Sequence, residues 1–390
     1  MLARDRRNEL RTLGLFPARL TAVRCRQAAM GWPVDGHHPY PNPSRAEQAT
    51  SGQCSRVPAD GMSPVNRVIL ITKARIFRSR AQGAQWTMKI KFWGVRGSTP
   101  TPERRNARYG GNTPCVEIRL ANGTLIILDC GSGLRALGKR LLREFGHNPI
   151  NGYVFFTHFH WDHIQGIPFF LPLYREGDSF FFHAVQRKEE ELKRAIEGQM
   201  VSPYFPVDTS AMQALRNFYD LDTSPINICG AIIKSTPLYH PQGCVAYRIE
   251  ADGAVFVLAT DTEPGSPAHD SGLRDLAEGA DVLVYDAQYT PEQVRGEKKG
   301  WGHSSWLEGT RVALESHVRQ LVLFHHDPDH DDPFVEGLVQ KARRLFPDVV
   351  GAAEGMEVSL PEVELVRTFK VSVASRSRSS GARGQRTHAI

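Results

Sequence analysis

The stretch Thr157-His158-Phe159-His160-Trp161-Asp162-His163 sets three imidazoles and one carboxylate within six residues. It follows Tyr153-Val154-Phe155-Phe156, an apolar run of the kind that forms a buried strand, so its side chains are expected on a loop at a sheet edge. Crowding of this sort needs compensation, and a divalent cation supplies it, because neutral imidazole nitrogen and carboxylate oxygen are both good ligands. One loop can then serve two ions: His158 and His160 on the first, Asp162 and His163 on the second. A single histidine would read as a surface residue; H-x-H-x-D-H at a strand terminus does not.

Outward from this motif the chain reads as alternating elements. On the N-terminal side, Lys89 to Trp93 alternates and stops at Gly94, as a strand does. Val116–Leu120 and Thr124–Leu128 flank Asn122-Gly123, a hairpin signal that predicts a type I′ turn. Apolar spacing predicts a helix over 134–145. On the C-terminal side, residues 164–239 read as an insertion holding Phe180-Phe181-Phe182-His183, a charged helix over about 188–198 and a loop over 202–225. Strands follow at 245–249 and 254–259 around Asp252-Gly253, then at 281–285 and 321–324, with helices at 304–317 and 332–345. Hairpins first and strand–helix alternation later predict an α/β fold in four αββα layers.

The ends differ in texture. Residues 1–87 are rich in Arg, Pro, Gln and Ser, with 14 Lys/Arg against 5 Asp/Glu, and are expected to form a disordered basic extension. Met88 starts a well-formed strand and is a candidate true start. Residues 371–390 carry four Arg and no acid and read as a flexible tail, which leaves 88–370 as the catalytic domain. Taking +9 and +4 for those ends from the total of +6 leaves the middle at −7, so the basic balance says little about the partners of the folded part. His37 and His38 read as loop residues. The six cysteines form no C-x-x-C pair, which points to reduced thiols and a cytoplasmic protein. No apolar run is long enough for a membrane span, and no signal peptide is evident.

With its motif and order of elements, the region 88–360 resembles the metallo-β-lactamase superfamily. The resemblance implies the four-layer metallo-β-lactamase sandwich and a ligand set spread along the chain. His240 in Tyr239-His240-Pro241 matches the third histidine of the first site, Asp261 after Ala259-Thr260 the bridging aspartate, and His325 after Leu321–Phe324 the last histidine. His326 is its neighbour and rival. Asp129 in Asp129-Cys130-Gly131 matches the carboxylate that supports the ligands from behind. The acidic run 327–332 reads as a loop into a helix rather than a further metal site.

Gly300-Trp301-Gly302-His303-Ser304-Ser305 resembles the Gly-His-Ser-Thr segment of the phosphodiesterase-like branch, with Ser in place of the final Thr. That branch includes tRNA 3′-processing ribonucleases and cyclic-phosphate phosphodiesterases. It implies that His303 contacts phosphate or protonates the leaving oxygen, that Asp162 orients or deprotonates the water, and that Asn112 in Gly110–Pro114 touches substrate. The implied enzyme is a hydrolase with two divalent ions, Zn2+ first and Mn2+ or Fe2+ as alternatives, acting through a metal-bridging hydroxide. A small or cyclic phosphodiester is the expected substrate. The alternatives are a lactone, thioester or β-lactam, or a tRNA precursor. Nucleic acid is not favoured, because the 164–239 segment is not Gly/Lys-rich and the −7 middle suits a polyanion poorly. A homodimer is expected by analogy, and no membrane partner. His160 argues against a di-iron redox variant of the fold, which places an acid there.

Overall fold

Ile126 and Leu128 turn to one face of their strand, Leu125 and Ile127 to the other, and all four are buried. That double burial repeats across the molecule and builds its layers. The computed structural model describes residues 88–185 and 188–360. The strands are β1 (Met88–Gly94), β2 (Cys115–Arg119), β3 (Leu125–Leu128), β4 (Asn151–Phe156), β5 (Ser179–Val185), β6 (Leu215–Leu221), β7 (Ile226–Ile228), β8 (Ala231–Leu238), β9 (Cys244–Ala251), β10 (Ala254–Ala259), β11 (Val282–Asp286), β12 (Gln320–Phe324), β13 (Val349–Gly351) and β14 (Glu357–Leu360). The helices are α1 (Leu134–Phe145), α2 (Trp161–Ile164), α3 (Glu189–Glu197), α4 (Pro267–Ala277), α5 (Pro291–Arg295), α6 (Trp306–Glu315) and α7 (Asp332–Arg343).

One sheet runs β14-β1-β2-β3-β4-β5-β6 and the other β13-β12-β11-β10-β9-β8-β7. In the first, β3 to β6 pair in parallel; in the second, β10 to β13 do, and the remaining neighbours are antiparallel. Between the sheets, Phe92, Ile118, Leu128 and Phe155 pack with Tyr247, Phe256, Val284 and Phe324. Outside the first sheet, Leu134, Leu137 and Leu141 of α1 cover Ile127, Val154 and Phe156. Each such burial stabilises by roughly 1.5–3 kcal/mol. Outside the second, α4, α6 and α7 bring Leu276, Val312 and Val339 onto Leu283 and Leu323. This is the expected four-layer sandwich.

Three expectations need correction. Residues 164–239 are not an insertion: β5 and β6 extend the first sheet, and β7 and β8 belong to the second. The supposed loop 202–225 contains β6, an edge strand with one neighbour, whose exposed Leu215 and Tyr219 blur the alternation. The Asn122-Gly123 turn is not type I′, because only Gly123 has positive φ (87°) and its N–H meets Leu120 O at 2.9 Å. That is a type I turn followed by a left-handed glycine. Asp252 and Gly253 (φ 51° and 73°) do form the I′ pair. The expected extension 1–87, with His37 and His38, and the tail 371–390 lie outside the described residues, as does 361–370 of the expected domain.

Candidate active site

The C-terminal ends of β3, β4, β8, β10, β11 and β12 all open toward the same end of the sandwich, and each carries one piece of the site. Asp129, Asp261 and His325, shortly after β3, β10 and β12, have left-handed backbones (φ 57°, 55° and 60°). Such a conformation costs on the order of 1–3 kcal/mol at a non-glycine residue, so packing must hold it. Gly97 shows how tight the packing is: a Cβ there would lie 2.6 Å from His325 Nδ1.

Four overlapping groups of side chains converge, among them His158, His163 and Asp261, and Asp261, Asp286, His303 and His325; two of the four divide six of the expected ligands between them. His158, His160 and His240 form one; Asp162, His163 and His325 form the other, with ligand atoms in each within 4.8 Å of one another. Asp261 stands between them. Its Oδ1 faces His158 Nε2 at 3.8 Å and His240 Nε2 at 3.9 Å, while its Oδ2 faces His163 Nε2 at 3.3 Å and His325 Nε2 at 3.4 Å. All seven candidate ligands thus meet in one cup. All are buried except His160, which is half-buried.

The tautomers follow from what lies behind each ring. Thr157 Oγ1 donates to Asp129 Oδ2 at 2.8 Å, so its oxygen can only accept from His158 Nδ1 at 3.0 Å. His163 Nδ1 donates to Asp129 Oδ2 (2.8 Å), His325 Nδ1 to Gln288 Oε1 (2.7 Å) and His240 Nδ1 to the carbonyl of Gly302 (2.7 Å). Four rings therefore turn Nε2 inward, the atom a cation would take. His160 is reversed: its Nε2 meets Gln242 Oε1 at 3.1 Å and its Nδ1 faces His240 at 3.0 Å. Partners of this kind fix ring orientation and raise ligand basicity. His158 Nε2 is buried with no hydrogen-bond partner, a cost left standing unless a cation takes its lone pair. Burial, then the neighbouring His163, holds His158 well below the usual imidazole range. The donor set fits a divalent metal.

His303 stands at the edge of the cup, its ring stacked on His325 at 5.0 Å and 20°. Its Nδ1 donates to Asp286 Oδ2 at 2.9 Å, and Asp286 ends β11 fully buried. Burial alone would lower His303, but the charge and hydrogen bond of Asp286 carry it up to about 9. Ser305, one position beyond Ser304, caps α6 by accepting from Glu308 N–H at 3.4 Å. The segment thus serves helix start and site together. Asp162 Oδ2 accepts from Ser98 N–H at 2.9 Å.

Other expected residues find different places. Asn112 ties loops together: its Oδ1 accepts from Ser132 Oγ at 3.0 Å and its Nδ2 donates to Glu354 at 2.9 Å. His326 donates to the Ala352 carbonyl at 2.9 Å and lies edge-on to Tyr109, outside the two groups. In the acidic run, Asp331 caps α7, and Asp332 accepts from the N–H groups of Arg108 and Tyr109. Sequence reasoning missed Gln288, Gln242, Asp286 and Glu263. Asp286 alone left a trace, as a carboxylate at the end of a predicted strand, the position that Asp129 and Asp261 also hold near theirs.

A model of the Beta-lactamase superfamily domain matches residues 124–326. Ribonuclease Z of Lachnospira eligens is 24% identical over 291 residues, covering 61% of this chain and 89% of that protein. The metallo-beta-lactamase fold protein YhfI from Bacillus subtilis superposes with a TM-score of 0.53 at 19% identity, over 70% of this chain and 100% of its own. Human tRNase Z, short form, does so at 0.50 and 18%, over 70% and 100%. No helix among the described residues is long and apolar enough to cross a membrane.

Proposed function

The chain belongs to the beta-lactamase superfamily and is a metal-dependent hydrolase, and from that premise we propose that it cleaves phosphodiester bonds in RNA. The observation that carries the phosphodiester reading is His303, locked by Asp286 beside the seven-ligand cup. Likeness to Ribonuclease Z favours RNA over the small or cyclic phosphodiester expected from sequence. His158, His160 and His240 would hold one divalent ion and Asp162, His163 and His325 the other, with Asp261 touching both. The all-nitrogen-and-oxygen set suits Zn2+, with Mn2+ or Fe2+ as alternatives. When bound, such a pair supplies Lewis acidity and a water acidified to about neutral pH.

The chain's own groups do the rest. Asp162, its Oδ2 steadied by the Ser98 N–H, would orient or deprotonate the water. Asp286 fixes His303 Nδ1–H and leaves its Nε2–H for the phosphate or the departing oxygen. Asp129 holds the proton side of His163 so that its other nitrogen stays available. The catalytic domain is taken as 88–370.

A second reading keeps a small phosphodiester as substrate, supported by the −7 charge of the middle of the chain. The test is a metal-loaded assay on an RNA with a single-stranded 3′ extension, cyclic nucleotides, a lactone and a thioester. RNA cleavage is expected. Turnover of cyclic nucleotides alone would favour the second reading, and turnover of the carbonyl compounds alone would remove both.

A further inference from the structure

Trp301 is 55% exposed, yet hydrogen bonds tie the turn that carries it on both sides. Glu263, nearly buried, accepts from Gly300 N–H with one oxygen and from Gly302 N–H with the other, each at 2.8 Å. Its own N–H donates to the Tyr239 carbonyl at 2.8 Å, which ties the turn to the residue before His240. Gly302 has φ +84°, and a Cβ there would overlap His240 and Pro241. The carbonyl of Gly302 is also the acceptor for His240 Nδ1. The backbone that carries this exposed indole is thus pinned, two residues from His303.

Lys298 completes the arrangement. Its ammonium lies 4.0 Å from the Trp301 ring and 5.5 Å from that of Tyr289, which is itself edge-on to His303 at 5.6 Å. Contacts therefore run unbroken from His303 to the exposed indole, with a cation between. A flat π-surface plus a positive charge beside a phosphodiester-cleaving centre matches one kind of ligand: a nucleotide, base on the ring and phosphate near the ammonium. The pinned backbone matters, since a ring carried on a fixed turn has less freedom to lose when a base stacks on it.

We propose that Trp301 and Lys298 form a subsite that stacks a nucleobase flanking the scissile phosphate and so sets substrate preference. This rests on the RNA reading above and names how that substrate is gripped. The test uses the full-length, metal-loaded protein with two RNAs, one intact and one abasic at the nucleotides flanking the cleaved bond. With Trp301→Ala, KM for intact RNA should rise about tenfold with kcat little changed, and Trp301→Phe should restore most of it. The abasic RNA should not distinguish wild type from Trp301→Ala. Lys298→Ala should raise KM less and flatten its salt dependence.

Equal KM changes on both RNAs, or none on either, would overturn the proposal. So would a drop in solution mass by light scattering with KM unmoved, which would make the indole a contact between copies. Should wild type cleave no RNA, the RNA reading fails by itself. Fluorescence titration with adenosine monophosphate against ribose 5-phosphate then decides the subsite: binding of the nucleotide to wild type and Trp301→Phe but not Trp301→Ala keeps it, and no discrimination removes it.

Discussion

At the floor of the cup, His163 has no exposed surface, one ring nitrogen on Asp129 and the other facing Asp162, Asp261 and His325. Two residues earlier, Trp161 on the rim is 70% exposed. Tyr239 and Trp301 repeat the contrast beside His240 and His303. The floor is over-determined: each ligand ring has a partner behind it, and three backbones are bent into a costly conformation to aim side chains inward. The rim presents side chains to solvent, Trp161, Tyr239 and Trp301 among them, even where the backbone beneath is pinned. The roles proposed here give chemistry to the first and a hold on substrate, at Trp301, to the second, so substitutions in the two regions should fail in different ways.

The largest failure should come from Asp261→Ala, which removes the two oxygens that face both ligand groups. Activity should fall by at least ~10³-fold, and elemental analysis should show metal lost. Full metal content with normal turnover would break the account of the floor. Next, His303→Ala should lower kcat by about 10²–10⁴-fold while metal content holds, because the role proposed for it is proton donation rather than ligation. Metal loss in that variant would move His303 into the ligand set. Gln288→Leu keeps the bulk but removes the acceptor for His325 Nδ1; chelator competition should show metal affinity down by roughly 10–100-fold. At the small end, Trp161→Ala should shift folding stability by less than ~0.5 kcal/mol and leave metal content unchanged, by thermal melting and elemental analysis. A large loss of either would mean the rim is part of the floor.

The sequence shows more of the floor than of what steadies it. The six-residue motif could be read because its ligands crowd one turn, whereas His240, Asp261 and His325 came from the family resemblance, and the strand ahead of His240 was not read at all. Gln288 and Gln242 could not be read in this way. Each acts by one hydrogen bond to a residue 37 or 82 positions away, and glutamine has no spacing rule. The fold was legible where strands are buried on both faces, as in Leu321–Phe324, or paired by a short turn. It was not legible over 164–239, where Phe180–Phe182 lacks alternation and β6 lies at an edge. The two turns make the same point on a smaller scale. Asn-Gly and Asp-Gly carry the same signal, but the first chain crosses over in three residues and the second in two.

The register Met88 with Leu360 brings both ends of the sandwich onto neighbouring positions of one ladder, at the end away from the cup. With 1–87 and 361–390 removed, a short linker from 360 to 88 should close the sandwich into a ring on the side away from the site. Reopening that ring at the exposed turn around Gly123 gives a circular permutant that should keep every ladder and its metal content.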